Sequence, residues 1–248
     1  MRNTADTLLP LVKKLELWRP LDRREKEAVL ALPHKVEEVL PNKYIVREGD
    51  QPSHTCLLLD GFAFRHKVLL DGSRSINAIH MKGDAVDLQN SLLGTADHSV
   101  QTLTRATVAY IPREEIRRVA FEYPNVGMAM WYDTLVDGSI FREWIANIAR
   151  RDAAGRLAHL LCEFGLRLEA IGLGDRLSYE LPMTQEQLAD ATGLTPVHVN
   201  RTLMDLGERG LIARTKKYVG IADWKRIEDV GGFNDTYLHL HEENSLLP

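Results

Sequence analysis

Cysteine is scarce in this chain, with two in 248 residues: Cys56 in an apolar run and Cys162 in a helical one. Two thiols build no disulfide framework and fall short of the four ligands an iron–sulfur switch needs. Both read as buried small hydrophobes. Long apolar runs are missing too. None approaches the roughly 20 residues that cross a bilayer, so no membrane partner is expected. The opening Met1-Arg2-Asn3-Thr4-Ala5-Asp6 lacks the apolar core of a signal peptide, and the expected location is the cytoplasm. A net charge of −4 does not announce a nucleic-acid binder. Nucleophile elbow, P-loop, zinc-protease motif and dinucleotide fingerprint are all absent, so no enzyme is expected.

What is present is ordinary in bulk, with 44% hydrophobic and 27% charged residues. A chain of this length buries roughly 70–75% of its unfolded surface, enough for one large or two modest domains. Charge is unevenly spread. Arg150 to Arg226 holds 12 basic and 10 acidic side chains, a slight basic excess against an acidic remainder, which suits local phosphate contact.

The most informative stretch is Met183 to Gly210. Thr184 with Gln187 three residues on forms a capping box for a helix from Gln185 to Ala191. Gly193 supplies the left-handed turn in Thr192-Gly193-Leu194. Thr195 caps a second helix and Pro196 occupies its first position, where the missing N–H costs nothing. Val199, Thr202, Leu203 and Leu206 recur at helical spacing and face inward, as do Leu188 and Ala189. That leaves Pro196, Val197, Asn200, Arg201 and Met204 outside. Two capped helices crossing at a glycine turn fit a DNA major groove. Two short strands follow, Leu211 to Arg214 and Tyr218 to Ile221, with Thr215-Lys216-Lys217 between them. A basic hairpin after a helix-turn-helix makes a winged helix, and lysines at the wing tip suit phosphate contact.

Ahead of this lie two amphipathic helices, Asp6 to Leu17 and Asp22 to Leu32, the second with an Asp22/Glu25 capping box. Turn pairs Gly49-Asp50, Asp60-Gly61, Asp71-Gly72 and Gly83-Asp84 then recur every 11 or 12 residues. They separate strand-like runs at Tyr44–Val46, Cys56–Leu59, Phe62–Leu70 and Ser75–His80, joined later by Ser99–Leu103 and Thr107–Ile111. Asp-Gly between such runs is a strong hairpin signal, and residues 35–112 read as an antiparallel β-roll. Within it, Asp84 and Asp87 are the closely spaced carboxylates with a nearby histidine, and nothing marks them as catalytic.

A short helix covers Arg113 to Glu122. Pro124 opens a long one to Arg150, whose apolar residues fill more than one stripe. One stripe can cover the roll; the other needs a second surface, and a second copy of the chain is the economical one. Met128, Trp131, Leu135 and Ile145 are the expected dimer contacts. Gly127 and Gly138 weaken this helix by about 1 kcal/mol each relative to Ala and mark candidate close approaches. Asp152 caps a helix from Ala153 to Ala170, and Arg150-Arg151-Asp152 forms the joint. A short helix from Asp223 precedes Gly231-Gly232 and a tail. The expected divisions are a sensor roll with flanking helices over 1–123, a dimerisation helix over 124–150, a winged helix over 151–231 and a tail over 232–248.

Roll, long helix, hinge and winged helix in this order resemble the CRP/FNR superfamily of transcription regulators. The carriers are Arg47-Glu48-Gly49-Asp50 and Asp60-Gly61 in the roll, and Thr184-Gln185-Glu186-Gln187-Leu188-Ala189 through Arg201-Thr202-Leu203 in the reader. The tail (Trp224, Tyr237, Leu238, His239) resembles the FNR-like and FixK-like members most. The resemblance implies an α+β fold with a cyclic-nucleotide-binding-like roll. It also implies a homodimer on palindromic double-stranded promoter DNA, with RNA polymerase as a further partner and an effector small molecule, here unknown, sensed by the roll. The expected DNA contacts are Thr184, Thr195, Pro196, Val197, His198, Asn200, Arg201, Lys216 and Lys217.

Two departures matter. Many members read core bases with a Glu and an Arg one turn apart. Arg201 matches the Arg and can grip guanine O6 and N7, while the Glu position holds Val197, fit only for an apolar contact; Asn200 can read adenine. In the roll, the family's ribose and phosphate segment corresponds to Gly83, Asp84, Leu88, His98 and Ser99. Leu88 stands where a Glu is expected and His98 where an Arg is. A phosphate wants a permanent forked cation, and a histidine is mostly neutral at pH 7. The roll is therefore expected not to use cyclic AMP in the family manner. No cofactor is indicated. His54, His66, His80 and His98 read as packed or solvated rather than as haem ligands, and His239-Leu240-His241-Glu242 as a solvated tail able to hold a metal only weakly. Burial of Cys56 argues against a redox trigger. The competing reading is an enzyme or small-molecule-binding module whose helical C-terminal part serves assembly.

Overall fold

The computed structural model describes residues 7–215 and 218–240. These group into two compact units. Of the described residues, the first runs to Lys67 and takes in Ala78–Gly138; the second takes in Val68–Asn77 and Ser139–Leu240.

In the first unit, helices α1 (Leu9–Glu16) and α2 (Arg23–Leu30) precede the roll. The Asp22/Glu25 capping box forms, with the Asp22 carboxylate accepting from Glu25 N at 2.9 Å and Glu25 returning the bond to Asp22 N. α1 starts later than expected, at Leu9; Asp6 lies outside the described residues. The strands are β1 (Lys35–Val39), β2 (Tyr44–Val46), β3 (His54–Asp60), β4 (Ala63–Val68), β5 (Arg74–His80), β6 (Ser99–Thr102) and β7 (Ala106–Pro112). They form two sheets, ordered β1-β7-β3 and β2-β6-β4-β5.

β3 shows why its sequence is apolar without alternation. Cys56 and Leu58 face a cluster with Val46, Val100 and Val108. Leu57, between them, faces a second cluster with Leu11, Leu15, Ile111, Val119 and Met130. A strand covered on both faces needs apolar side chains at every position. The expected strand starting at Phe62 begins at Ala63 and stops at Val68, and β1, a polar edge strand paired with β7, was not anticipated as a strand.

Helices α3 (Arg113–Glu122) and α4 (Pro124–Arg150) follow as read. Gly127 is the close approach anticipated: a Cβ there would sit 2.5 Å from the Ala120 carbonyl oxygen. α4 buries Val126, Ala129, Met130, Val136, Ile140 and Trp144.

In the second unit, α5 (Ala153–Ala170), capped by Asp152 on Gly155 N, is the central helix. Around it come β8 (Ser178–Glu180), α6 (Gln185–Thr192), α7 (Pro196–Glu208), β9 (Ile212–Arg214), β10 (Tyr218–Ile221) and α8 (Trp224–Gly231). The wing hairpin β9–β10 gains a third strand, β8, in the order β8-β10-β9. α7 ends at Glu208, and Gly210 takes φ +67° in the turn beyond.

Candidate nucleic-acid interface

The reading face is built by local chemistry. Thr184 Oγ1 accepts from Gln187 N at 3.2 Å and Gln187 Oε1 accepts from Thr184 N at 2.8 Å, closing the capping box on α6. Gly193 ends α6 at φ +65°, with room so tight that a Cβ would meet Ile148 at 3.2 Å. Thr195 then caps α7 by accepting from His198 N at 3.2 Å. Each cap satisfies one of the first-turn backbone donors of its helix, and each threonine hydroxyl keeps its own proton to donate.

Burial then sorts the faces of α7. Val199, Thr202, Leu203 and Leu206 are buried, as are Leu188 and Ala189 of α6. Pro196, Asn200 and Arg201 are exposed, and Val197 and Met204 stand out at 80% and 57% exposure. The outer face of α7 thus offers apolar as well as polar contact area. Arg201 has no ion-pair or hydrogen-bond partner among the described residues. His198 is half-buried. Asn200 is not free: its Oδ1 accepts from Gln185 Nε2 at 2.8 Å. Gln185, the first residue of α6, was overlooked among the site residues; its place directly after a cap was the available signal. Thr215 closes the wing by donating its N–H to Tyr218 O at 2.9 Å. Lys216 and Lys217 lie outside the described residues.

The roll segment has the opposite character. Asp84 is held by Lys14 Nζ at 2.9 Å and accepts from Met81 N at 3.0 Å. Gly83 sits at φ +94°, and a Cβ there would stand 3.2 Å from the Pro10 carbonyl oxygen. Leu88 is buried at 8% exposure. Ser99 Oγ accepts from Glu48 N at 3.0 Å. His98 Nδ1 sits 2.6 Å from Asp97 Oδ1 and its Nε2 3.3 Å from Gln89 Nε2. Burial, then the nearby Arg65 charge, push the His98 pKa below its ordinary value, and Asp97 only partly opposes this. His98 is thus neutral near pH 7, where a phosphate would want a cation.

A buried permanent cation does exist, in a place the sequence reading did not consider. Arg65 of β4 is 4% exposed, and its Nη2 lies 2.8 Å from Asp137 Oδ2 of α4 and 3.3 Å from His80 Nε2. Its charge is already matched. Three successive polar residues, Arg65, His66 and Lys67, in β4 were the signal; the first two are buried. His80 is buried and His54 exposed. Cys56 and Cys162 are free and buried, and burial pushes both thiols up, Cys56 with help from Asp87. His241 and Glu242 lie outside the described residues, so the tail metal site is not placed.

On α4, Met128, Trp131, Leu135 and Ile145 are 40%, 59%, 55% and 68% exposed. Their spacing keeps them on one stripe of the helix, away from its buried residues. No helix among the described residues is long and apolar enough to cross a membrane.

Comparison with known proteins gives two matching family models in the same order as the two halves of the chain. One, described as a cyclic nucleotide-binding domain, matches residues 36–123; the other, a Crp-like helix-turn-helix domain, matches residues 155–230. The chain is 26% identical over 196 residues to the transcriptional activator protein FnrL of Cereibacter sphaeroides, covering 77% of this chain and 78% of that protein. It is 28% identical over 172 residues to the nitrogen fixation regulation protein FixK of Bradyrhizobium diazoefficiens, covering 69% and 71%. The solved structure of FixK2 from Bradyrhizobium japonicum shares the fold, with a TM-score of 0.74 at 21% identity over 80% of this chain and 98% of that one.

Proposed function

Because the chain belongs to the CRP/FNR superfamily of transcription regulators, we propose that it reads a palindromic DNA site as a homodimer, through the outward face of α7. The observation that carries this reading is the pairing of Val197 and Arg201 on an exposed face whose opposite side is fully buried. Arg201 donates to guanine O6 and N7, and Val197 offers an apolar contact to a thymine methyl. The hydroxyls of Thr184 and Thr195, the His198 ring, and Lys216 and Lys217 contact phosphate, fixing register without reading sequence. The exposed stripe of Met128, Trp131, Leu135 and Ile145 joins two copies, which sets paired readers about 34 Å apart. A mobility-shift titration against a duplex enriched from a random pool tests this. The expected result is affinity that falls steeply with salt, as counterion release requires, and two protomers per duplex.

We further propose that the roll does not take cyclic AMP in the family manner. Support comes from the groups in the segment being already engaged: Asp84 by Lys14, Ser99 by Glu48, and His98 held neutral beside Asp97. Calorimetry with cyclic AMP is expected to show no micromolar binding; such binding, lost on His98→Ala, would overturn the proposal.

A further inference from the structure

We propose that Gln185 decides which base Asn200 reads. The inference rests on the DNA-reading face proposed above and concerns a residue outside that face's list of direct contacts. Gln185 Nε2 donates to Asn200 Oδ1 at 2.8 Å, joining the first residue of α6 to the outer face of α7. Asn200 Nδ2 is directed the other way along α7, 3.9 Å from Met204 Sδ. A thioether is a weak acceptor, so that amino group keeps nearly all its donor capacity.

An unrestrained asparagine can offer its carbonyl and amino groups side by side, the bidentate match to adenine N6 and N7. Here the carbonyl already accepts a hydrogen bond from a second helix. The amide is held with its acceptor toward α6 and its donor toward Met204. A side chain so held favours a base edge made of acceptors: guanine O6 and N7, or thymine O4. Adenine offers that donor N7 alone, with its N6 amino group beside it left facing a carbonyl already engaged by Gln185, and cytosine offers only an amino group. Gln185 is thus a positioning residue for specificity. Neighbouring Arg201 is not bonded to Gln185 and reads its own base pair independently.

The test is enrichment of bound duplexes from a random pool by the full-length protein, run in parallel for wild type, Gln185→Ala, Asn200→Ala and the double variant. Wild type is expected to select guanine or thymine at the base pair whose preference Asn200→Ala abolishes. Gln185→Ala is expected to move that one position toward adenine by roughly five- to tenfold, with the guanine preference assigned to Arg201 unchanged. In the double variant the Gln185 change should add nothing at this position. Selection of adenine by wild type would overturn the inference, as would a Gln185→Ala protein that binds every sequence equally less well, the mark of a phosphate contact. Absence of any sequence preference in wild type would instead remove the DNA-reading proposal on which the inference stands.

Discussion

The two units place their polar chemistry on opposite sides of their surfaces. In the second, the reading residues Val197, Asn200 and Arg201 stand in solvent on a helix whose inner face is apolar and closed. In the first, Arg65, His66, His80, Asp87 and His98 are all at most 5% exposed, and the charged ones are tied to partners. The difference sets what each unit can change. An outward residue can be exchanged without stranding a buried charge, so base specificity can drift at little structural cost. Removing one member of a buried polar set leaves another uncompensated, which costs several kcal/mol. The reader is therefore replaceable residue by residue, whereas the roll's buried Arg65–Asp137 ion pair changes only as a pair.

The largest expected break is at the helix that both units share. Trp131→Asp puts a charge in the middle of the exposed stripe and should weaken dimerisation by about 2–4 kcal/mol; sedimentation velocity should show monomers at concentrations where wild type is dimeric. An unchanged dimer would move the interface elsewhere.

Next comes the roll's buried carboxylate. Asp87 is fully buried, and burial raises its pKa to about 6, with the Cys56 N–H bond and the Arg65 charge opposing. The native state thus holds this proton more tightly than the unfolded chain does. Its contribution to stability is fullest below about pH 4 and is lost as pH rises through about 6, leaving a penalty on the order of 2–3 kcal/mol at neutral pH. Asp87→Asn keeps an acceptor for Cys56 N and should raise stability at pH 7 by up to that amount, flattening the slope between pH 4 and 6 in urea titrations. A loss at pH 7 would mean the ionised form is fully compensated.

The second unit should respond to acid with the opposite sign. Burial, then the Arg151 charge, lower the His159 pKa to about 3. Its contribution is complete above about pH 6.5 and is lost as pH falls toward 3. Close by, Glu163 accepts from Trp144 Nε1 at 2.9 Å and from Tyr237 Oη at 2.8 Å, with Arg167 beside it. Tyr237→Phe removes one donor from a buried carboxylate and should cost about 1–3 kcal/mol, read as faster amide exchange in α5 with the roll unaffected. Equal loss of protection in both units would erase the contrast. The smallest effect is expected from Thr184→Ala, about 1 kcal/mol for a lost cap, seen as fraying at the start of α6.

Legibility followed the same divide. The reader was open to inspection because its determinants are local: Thr184 with Gln187, Gly193, and Thr195 before Pro196 each act within four residues of their own partner. The roll's turns were readable for the same reason, since Asp60-Gly61 and Asp71-Gly72 fix the chain where they stand. What escaped depends on distant partners. β1 is a polar edge strand made by pairing with β7 some 70 residues away. β8 is three residues long and exists because β10 offers it an edge. Arg65 is matched by Asp137, 72 residues later, and Gln185 matters through Asn200 on another helix. Such pairs are made by the fold and not by neighbours along one element.

The most direct test of the account is the base preference of Arg201→Ala measured on an enriched duplex at fixed salt. The account predicts a loss of about 1–3 kcal/mol confined to one base pair per half-site, with guanine no longer preferred there. A uniform loss over all sequences, or none, would contradict the assignment of α7's outward face as the reader.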